Sequence, residues 1–440
     1  MRFVLENINK IRKADILLNG LTVITGENDS GKSTIGKLLF STIKALANTN
    51  MPSSKRQALV EKHINSLYKR LQSKGINRFS PEMKTLFPLS IRNFVQELND
   101  ATALDILEDY LQKRIAAIEQ LDTITPRLKK LMLEDVANIR ICLTLSDNQA
   151  ASIKTEIQYF IESEFMNKLC SYNTDHSTVE LDMDEEGKNR LSYTLTHDFV
   201  NQVNIHASEF LQDATYVESP LYLHLVDSLL YASAFRETDR RMPLRPMVPI
   251  HIKDLIEKID SMKYLSSSRP HNNINIHLED IVKGRFDFDK SSRALRFTCE
   301  GANYAPINVA SGIKSFGVIQ MLLDTGSINE NRILIWDEPE NHLHPQWQIE
   351  FAKVLVALAN AGIPVVISTH SPYFIQGIRY FAARHKMEQF VNYYLGEKEE
   401  GGLSVFKNVT DDLNLIFLKL AKPLNDYINC RNFDTLLRNL

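Results

Sequence analysis

The sequence predicts an α/β fold in which one core is split by a long, mostly helical insertion. Three observations carry that reading. Both ends of the chain alternate short apolar runs with helical patterns, the mark of a sheet covered on its two faces. The middle instead repeats apolar residues at spacings of three and four. A glycine-bearing turn, Gly26-Glu27-Asn28-Asp29-Ser30-Gly31-Lys32-Ser33, joins a buried apolar run to an amphipathic helix. The implied division is 1–50 for the first half of the core, 51–275 for a helical lobe with a small hairpin, and 276–440 for the second half.

Taken in order, Phe3-Val4-Leu5, Ala14 to Leu18 and Leu21 to Thr25 read as strands, with an Asn19-Gly20 turn before the third. Ile35, Leu38, Leu39, Ile43 and Leu46 then share one helical face. Leu104, Leu107, Leu111, Ile115 and Ile118 mark one long helix of the middle region, and Ile153, Ile157, Phe160, Ile161 and Phe165 another. A hairpin interrupts them, Val179 to Met183 and Leu191 to Leu195 across Glu185-Glu186-Gly187. Thr215 to Pro220 reads as a strand returning to the core. Ser233 to Pro249 carries three prolines and reads as an exposed connection. Strands resume near Phe286 and at Leu295-Arg296-Phe297. A helix (Gly312 to Leu323), a buried strand (Ile333 to Trp336), a helix (Gln346 to Asn360) and a buried strand (Pro364 to Ser368) follow. Phe390 to Leu395, a Gly401-Gly402 turn and a helical stretch complete the pattern. A mostly parallel sheet is expected.

Composition narrows the class. The 440 residues include 51 basic and 54 acidic side chains, a net charge of −3, so the whole surface is no anion trap. The four cysteines, Cys142, Cys170, Cys299 and Cys430, show no CxxC spacing. Their scatter fits reduced thiols in a cytoplasmic protein. Met1 to Asn7 reaches an acid too early for a secretory signal, and no apolar run of about 18 residues predicts a membrane span.

Residues 26–33 match the phosphate-loop spacing GxxxxGK[ST]. Such a loop wraps phosphate with backbone N–H groups, so Gly26 and Gly31 stand where a side chain would obstruct. Lys32 supplies a point charge to the β- and γ-phosphates. Ser33 opens a helix whose N-terminus favours anions and presents a hydroxyl to Mg²⁺. Ile333-Leu334-Ile335-Trp336-Asp337-Glu338 is an apolar strand ending in two acids. It delivers Asp337 to the carboxyl edge of the sheet, where ligands of open α/β sheets bind. Asp337 suits a Mg²⁺ ligand, and Glu338 suits the group that orients or deprotonates an attacking water. Ser311-Gly312 opens a helix and, by itself, is a helix cap. His370 ends a strand at Ser368-Thr369-His370 and, by itself, is a structural histidine.

The order of these motifs gives the last two their weight. Phosphate loop, long insertion, Ser-Gly at a helix start, apolar-Asp-Glu and strand-His together resemble the ABC-type ATPases, in the soluble branch with the SMC, RecF and OLD families. The run 337–345, Asp-Glu-Pro-Glu-Asn-His-Leu-His-Pro, is similar to OLD-like ATPase subunits of prokaryotic antiviral systems such as Septu, retron-linked Septu and PARIS. The resemblance spans roughly 1–45 and 285–380. It implies ATP and Mg²⁺ as cofactors, with nucleotide contacts from Gly26, Asn28, Gly31, Lys32, Ser33, Thr34, Ser311 and Gly312. It also implies metal contacts from Ser33 and Asp337 and catalysis by Glu338 and His370. The signature segment departs from the transporter LSGGQ, reading Ala310-Ser311-Gly312-Ile313-Lys314, and no glutamine is placed as a Q-loop residue.

In such proteins the signature of one copy closes over ATP held by another. The resemblance therefore implies a homodimer sandwiching ATP, or a higher oligomer, acting on a separate effector such as a nuclease or toxin. The alternative is a DNA-repair or chromosome-maintenance ATPase of the RecF/SMC kind. Only 70 residues follow His370, too few for a nuclease domain beside the closing strands. Asp182-Met183-Asp184 and Asp287-Phe288-Asp289 read as exposed strand acids rather than a nuclease site. Residues 54–78 hold seven Lys/Arg against one Glu. They offer either a nucleic-acid contact or a solvated helix face. Arg236, Arg240, Arg241 and Arg245 form a second basic cluster.

Overall fold

The computed structural model describes residues 1–49, 63, 67, 70, 104–121, 124–144, 149–184, 187–206, 211–226, 228–229, 248–265, 278–289, 291–292 and 294–429. The Arg236–Arg245 cluster lies outside these residues. So does the basic stretch 54–78, apart from its positions 63, 67 and 70.

The chain forms two compact units, one of Met1–Ala47 with Lys154–Leu440 and one of Asn48–Ile153. In the smaller unit, α2 (Leu104–Glu119) and α3 (Pro126–Thr144) pack together, burying Leu111, Ile118, Met132, Val136 and Ile139. Asp135 there accepts a hydrogen bond from Arg70 Nε at 2.8 Å.

The larger unit is built on an 11-stranded sheet, counted among the described residues, in the order β6-β5-β4-β1-β2-β14-β13-β3-β12-β11-β7. Its strands are β1 (Arg2–Ile8), β2 (Ile11–Leu17), β3 (Leu21–Gly26), β4 (His176–Asp182), β5 (Arg190–Thr196), β6 (Phe199–His206), β7 (Asp213–Val217), β11 (Arg332–Asp337), β12 (Val365–Thr369), β13 (Val391–Lys398) and β14 (Ser404–Asn408). A second sheet pairs β8 (Gly284–Asp289), β9 (Ala294–Cys299) and β10 (Ala302–Tyr304).

Two expectations are corrected here. The helical lobe does not extend over 51–275, because β4 to β7 arise inside that range and join the core sheet. The cause is legible in their side chains. β4 buries Ser177, Val179 and Leu181 on alternate positions and pairs with β1, Leu181 opposite Phe3 and Val179 opposite Leu5. β7 buries Ala214, Thr215, Tyr216 and Val217 and pairs parallel with β11, Val217 opposite Trp336. Nor is the sheet mostly parallel: five neighbouring pairs are parallel and five antiparallel. Strands buried on both faces, β3, β11 and β12, mark the parallel half, while β1, β4 and β5 alternate, as one-sided antiparallel strands do.

Helices cover both faces of the parallel half. On one side, α7 (Ser311–Asp324), α8 (Pro345–Asn360) and α9 (Pro372–Arg384) bury Phe316, Phe351 and Phe374, with the ring of Phe351 5.0–6.3 Å from those of Phe316, Trp336 and Phe374. On the other, α1 (Lys32–Thr49) lies close over β11 and β7. Gly36 permits that approach, since a Cβ there would fall 2.8 Å from Tyr216 Cε2 and 3.2 Å from Ile335 Cγ2. A half-buried four-charge network anchors the start of β7. Lys44 Nζ reaches Asp213 at 2.7 Å and Asp254 at 2.6 Å, and Lys258 Nζ reaches the same two carboxylates at 3.0 and 2.7 Å. Asp254 and Lys258 lie on α5 (Ile250–Asp260), which follows α4 (Gln149–Phe165) and precedes α6 (Leu278–Val282). α10 (Asn414–Asn429) follows β14.

Candidate nucleotide site

The parallel strands set the site by register alone. Thr25 of β3 pairs with Thr369 of β12, and Ser368 pairs with Asp337 of β11. The residues that follow, Gly26, His370 and Glu338, therefore leave the sheet at one carboxyl edge.

The loop 26–31 bends between β3 and α1 with Gly31 at φ 98°, where a Cβ would also strike Ile11 Cγ1 at 2.6 Å. Asp29 is left-handed too, at φ 61°, a conformation short polar side chains tolerate. Lys32, 6% exposed, donates from Nζ to the carbonyls of Gly26 at 3.0 Å and Glu27 at 2.9 Å. Burial lowers its pKa, opposed by the nearby carboxylates of Glu338, Asp337 and Glu340. Ser33 is exposed and Thr34 half-buried in the first turn of α1, and Asn28 is exposed on the loop with its carbonyl accepting from Lys398 Nζ at 3.0 Å.

Asp337 is held at both oxygens. Tyr216 O–H donates to Oδ2 at 3.0 Å, and Ser368 O–H donates to Oδ1. Glu338 turns out of the strand at φ 45°, its N–H bound to the Ser368 carbonyl at 2.9 Å. Its carboxylate accepts from Asn341 Nδ2 at 3.0 Å and lies 3.2 Å from His370 Nδ1. The His370 hydrogen bond is the main cause that holds Glu338 down at about 2, and the same bond raises the pKa of His370. Glu340 lies beneath, accepting from Thr369 O–H at 2.7 Å and His370 N–H at 2.9 Å, and burial raises its pKa.

Lys32, Asp337, Glu338 and His370 thus gather at one place. Ser311 and Gly312 do not join that group. They open α7 after Ala310, which holds the cap position without a side-chain hydrogen bond, so Ser311 does not act as the cap its sequence suggests. Gly312 instead packs beneath the segment after Glu338. A Cβ there would meet Leu343 Cδ2 and Trp347 Cε3, each at 3.1 Å.

Sequence reasoning missed a further carboxylate on this edge. Val217 pairs with Trp336, which places Glu218 beside Asp337. Glu218 accepts from Lys37 Nζ at 3.1 Å, Tyr222 O–H at 2.9 Å and His251 Nε2 at 3.0 Å. His251 is fully buried, and its Nδ1 lies 2.5 Å from Glu164 Oε2. Its bond with Glu218 is the main cause holding that carboxyl down at about 2. Burial opposes a charge on His251, but the bonds to Glu164 and Glu218 outweigh it and raise its pKa. Lys37 lies one turn after Ser33 on α1, so this cluster adjoins the face that presents Ser33. The available signal was the strand 215–217 ending in an acid. Nothing local pointed to His251.

A strand–loop–helix phosphate cradle beside a strand-end carboxylate pair defines a P-loop nucleotide-binding protein. The chain belongs to the AAA ATPase domain family (AAA_15), which it matches over residues 1–375. It is 30% identical over 123 residues to the uncharacterized protein MJ1542 of Methanocaldococcus jannaschii, a match covering 25% of this chain and 15% of that protein. Among solved structures, the SMC head domain of Thermotoga maritima is similar at 10% identity and TM-score 0.36, covering 93% of this chain and 98% of that one. An SmcHead bound to the C-winged helix domain of ScpA gives 10% identity and TM-score 0.38, covering 94% and 98%. Among the described residues no helix is long and apolar enough to cross a membrane.

Proposed function

We propose that this chain is an ABC-type ATPase that binds and hydrolyses ATP and serves as a nucleotide-gated regulator of a separate effector protein. The observation supporting it is the convergence of Lys32, Asp337, Glu338 and His370 on the carboxyl edge. Gly26, Asn28, Gly31 and Thr34 line or flank the cradle, and Lys32 exchanges its two carbonyl partners for phosphate oxygens. Glu338, kept basic-side free of protons by His370, accepts a hydrogen bond from the attacking water and aims it. His370 holds that carboxylate and offers its ring to the terminal phosphate.

The residues fit Mg²⁺. An exposed hydroxyl at the helix start, Ser33, and an edge carboxylate fixed by two donors, Asp337, are a sparse oxygen set. Mg²⁺ takes one or two such protein groups and fills the rest with phosphate and water. When bound, the ion neutralises charge on the phosphates. Lys32 and Ser33 orient the nucleotide around it, and Tyr216 and Ser368 keep Asp337 in place.

Ser311 and Gly312, apart from this cluster, act on the ATP of a second copy, which makes the ATP-bound form a homodimer. Nucleotide binding then biases closed over open, and hydrolysis removes the bias. The run 337–345 favours an antiviral role with a nuclease or toxin effector. A RecF/SMC-like maintenance role is the other reading.

Size-exclusion chromatography with ATP tests the gate. Glu338→Gln is expected to accumulate as a dimer with ATP and Lys32→Ala to stay monomeric. Identical elution of both variants with and without ATP rejects it. Co-purification with a nuclease supports the effector role, whereas turnover stimulated by DNA without such a partner supports the maintenance role.

A further inference from the structure

Glu340 is a buried carboxylate beside the candidate site that the hydrolysis scheme leaves unused. The turn after β11 delivers it. Glu338 leaves the strand in the left-handed region at φ 45°, and Asn341 N–H closes the turn on the Glu338 carbonyl at 3.0 Å. Glu340 is thereby folded back under the end of β12. One oxygen, Oε1, gathers three neighbours there. It accepts from Thr369 O–H at 2.7 Å and from His370 N–H at 2.9 Å, and it lies 3.5 Å from His370 Nδ1. The other oxygen, Oε2, has no hydrogen-bond partner among the described residues.

Burying a carboxylate is costly, and a neutral amide oxygen would serve Thr369 and the His370 backbone at less cost. The neighbour that only a charge serves is the His370 ring. Its Nδ1 faces two carboxylates, 3.2 Å from Glu338 Oε1 and 3.5 Å from Glu340 Oε1. Two such acceptors keep a proton on Nδ1 and leave Nε2 for a phosphate oxygen. Lys32 is the opposing charge that acts on the ring. The two carboxylates differ in access: the Glu338 side chain is 29% exposed and that of Glu340 only 4%. Glu338 is the one that water reaches, and Glu340 has no competing duty.

We propose that Glu340 is a positioning residue for His370: it fixes the strand end through the His370 N–H, and its charge beside Nδ1 keeps the ring aimed while Glu338 engages water. This deepens the ATPase reading and rests on it. The hold extends into α9. Thr369 Oγ1, which donates to Glu340, accepts from the N–H of Ser371, the residue that caps that helix, at 3.1 Å.

The test is a double-mutant cycle on the full chain, read by single-turnover hydrolysis of ATP with binding measured by calorimetry. Glu340→Gln keeps an oxygen for Thr369 and His370 and removes the charge. It is expected to bind ATP with wild-type affinity and to hydrolyse it about tenfold more slowly, as for other carboxylates that act through a neighbouring side chain. In the His370→Ala background the same change is expected to add no further loss. NMR titration of the His370 ring, assigned by the signal missing from His370→Ala, is expected to show its pKa falling in Glu340→Gln. A glutamate with a purely structural role would leave that pKa in place. The amide matches the carboxylate in shape, so the fold is expected to hold, and the titration decides the claim even where the melting temperature falls. Losses that add in the double variant overturn the proposal, and so does a His370 pKa that stays put. If the wild type neither binds nor hydrolyses ATP, the ATPase reading fails, while the same titration still decides whether Glu340 acts on His370.

Discussion

The two halves of the large sheet differ in pairing and in chemistry. From β13 through β3, β12 and β11 to β7, every neighbour is parallel. Gly26, His370, Asp337, Glu338 and Glu218 all leave that half at one edge. From β6 through β5, β4 and β1 to β2, every neighbour is antiparallel, and no candidate site residue lies on these strands. Parallel strands bring all their carboxyl ends to one side, so chain direction alone gathers polar residues there. Antiparallel strands send successive ends to opposite sides and collect nothing. The antiparallel half supplies packing, and the parallel half supplies a place for chemistry.

The comparison breaks most visibly at Lys32. Lys32→Ala is expected to weaken ATP binding at least about a hundredfold, the loss of a charge-assisted phosphate contact in a buried cradle, read by calorimetry. In the antiparallel half, Leu181→Ala is expected to cost about 2–5 kcal/mol of stability in urea unfolding, since Leu181 is buried against β1. Turnover per folded molecule should stay at the wild-type value, and a turnover defect at wild-type stability would dissolve the distinction between the halves. Glu218→Gln sharpens it, with an expected loss of roughly tenfold in turnover while ATP affinity holds, the usual size of an effect acting through a supporting carboxylate.

The smallest effect concerns pH. His370 is raised by its bond to Glu338, so that contribution is complete below the free imidazole value of about 6.5 and is lost as pH rises through the raised one. Glu338 is lowered to about 2, so its contribution is present above the free carboxyl value and lost as pH falls through about 2. The pair is whole between roughly pH 4.3 and 6.5. Both side chains are partly exposed, which keeps the stability effect small. NMR titration is expected to show the pKa of His370 falling in Glu338→Gln. No movement would mean the two rarely meet.

Legibility followed the same division. β3, β11 and β12 announce themselves as continuous apolar runs; the loop after β3 and the acids after β11 were read from their spacing, whereas His370 after β12 took its role from the resemblance to the ABC-type ATPases. β6 was not anticipated, because its exposed and buried positions lack a clean alternation. The lobe boundary was misplaced because β4 and β5 read locally as an isolated hairpin. Only the free edge of β1, over 160 residues earlier in the chain, makes them core strands. Glu218 and His251 escaped for a related reason: a strand-end acid and a helical histidine acquire meaning only when β7 docks beside β11. Ser311-Gly312 was legible as a motif, but its surroundings, Leu343 and Trp347, are a tertiary fact.

The central claim is that Glu338 acts on water at a nucleotide held by Lys32. Single-turnover hydrolysis of ATP by Glu338→Gln, with binding measured in parallel, tests it most directly. The expected result is binding near the wild-type affinity with hydrolysis slowed by about a hundredfold or more. Hydrolysis at the wild-type rate with binding intact would contradict it.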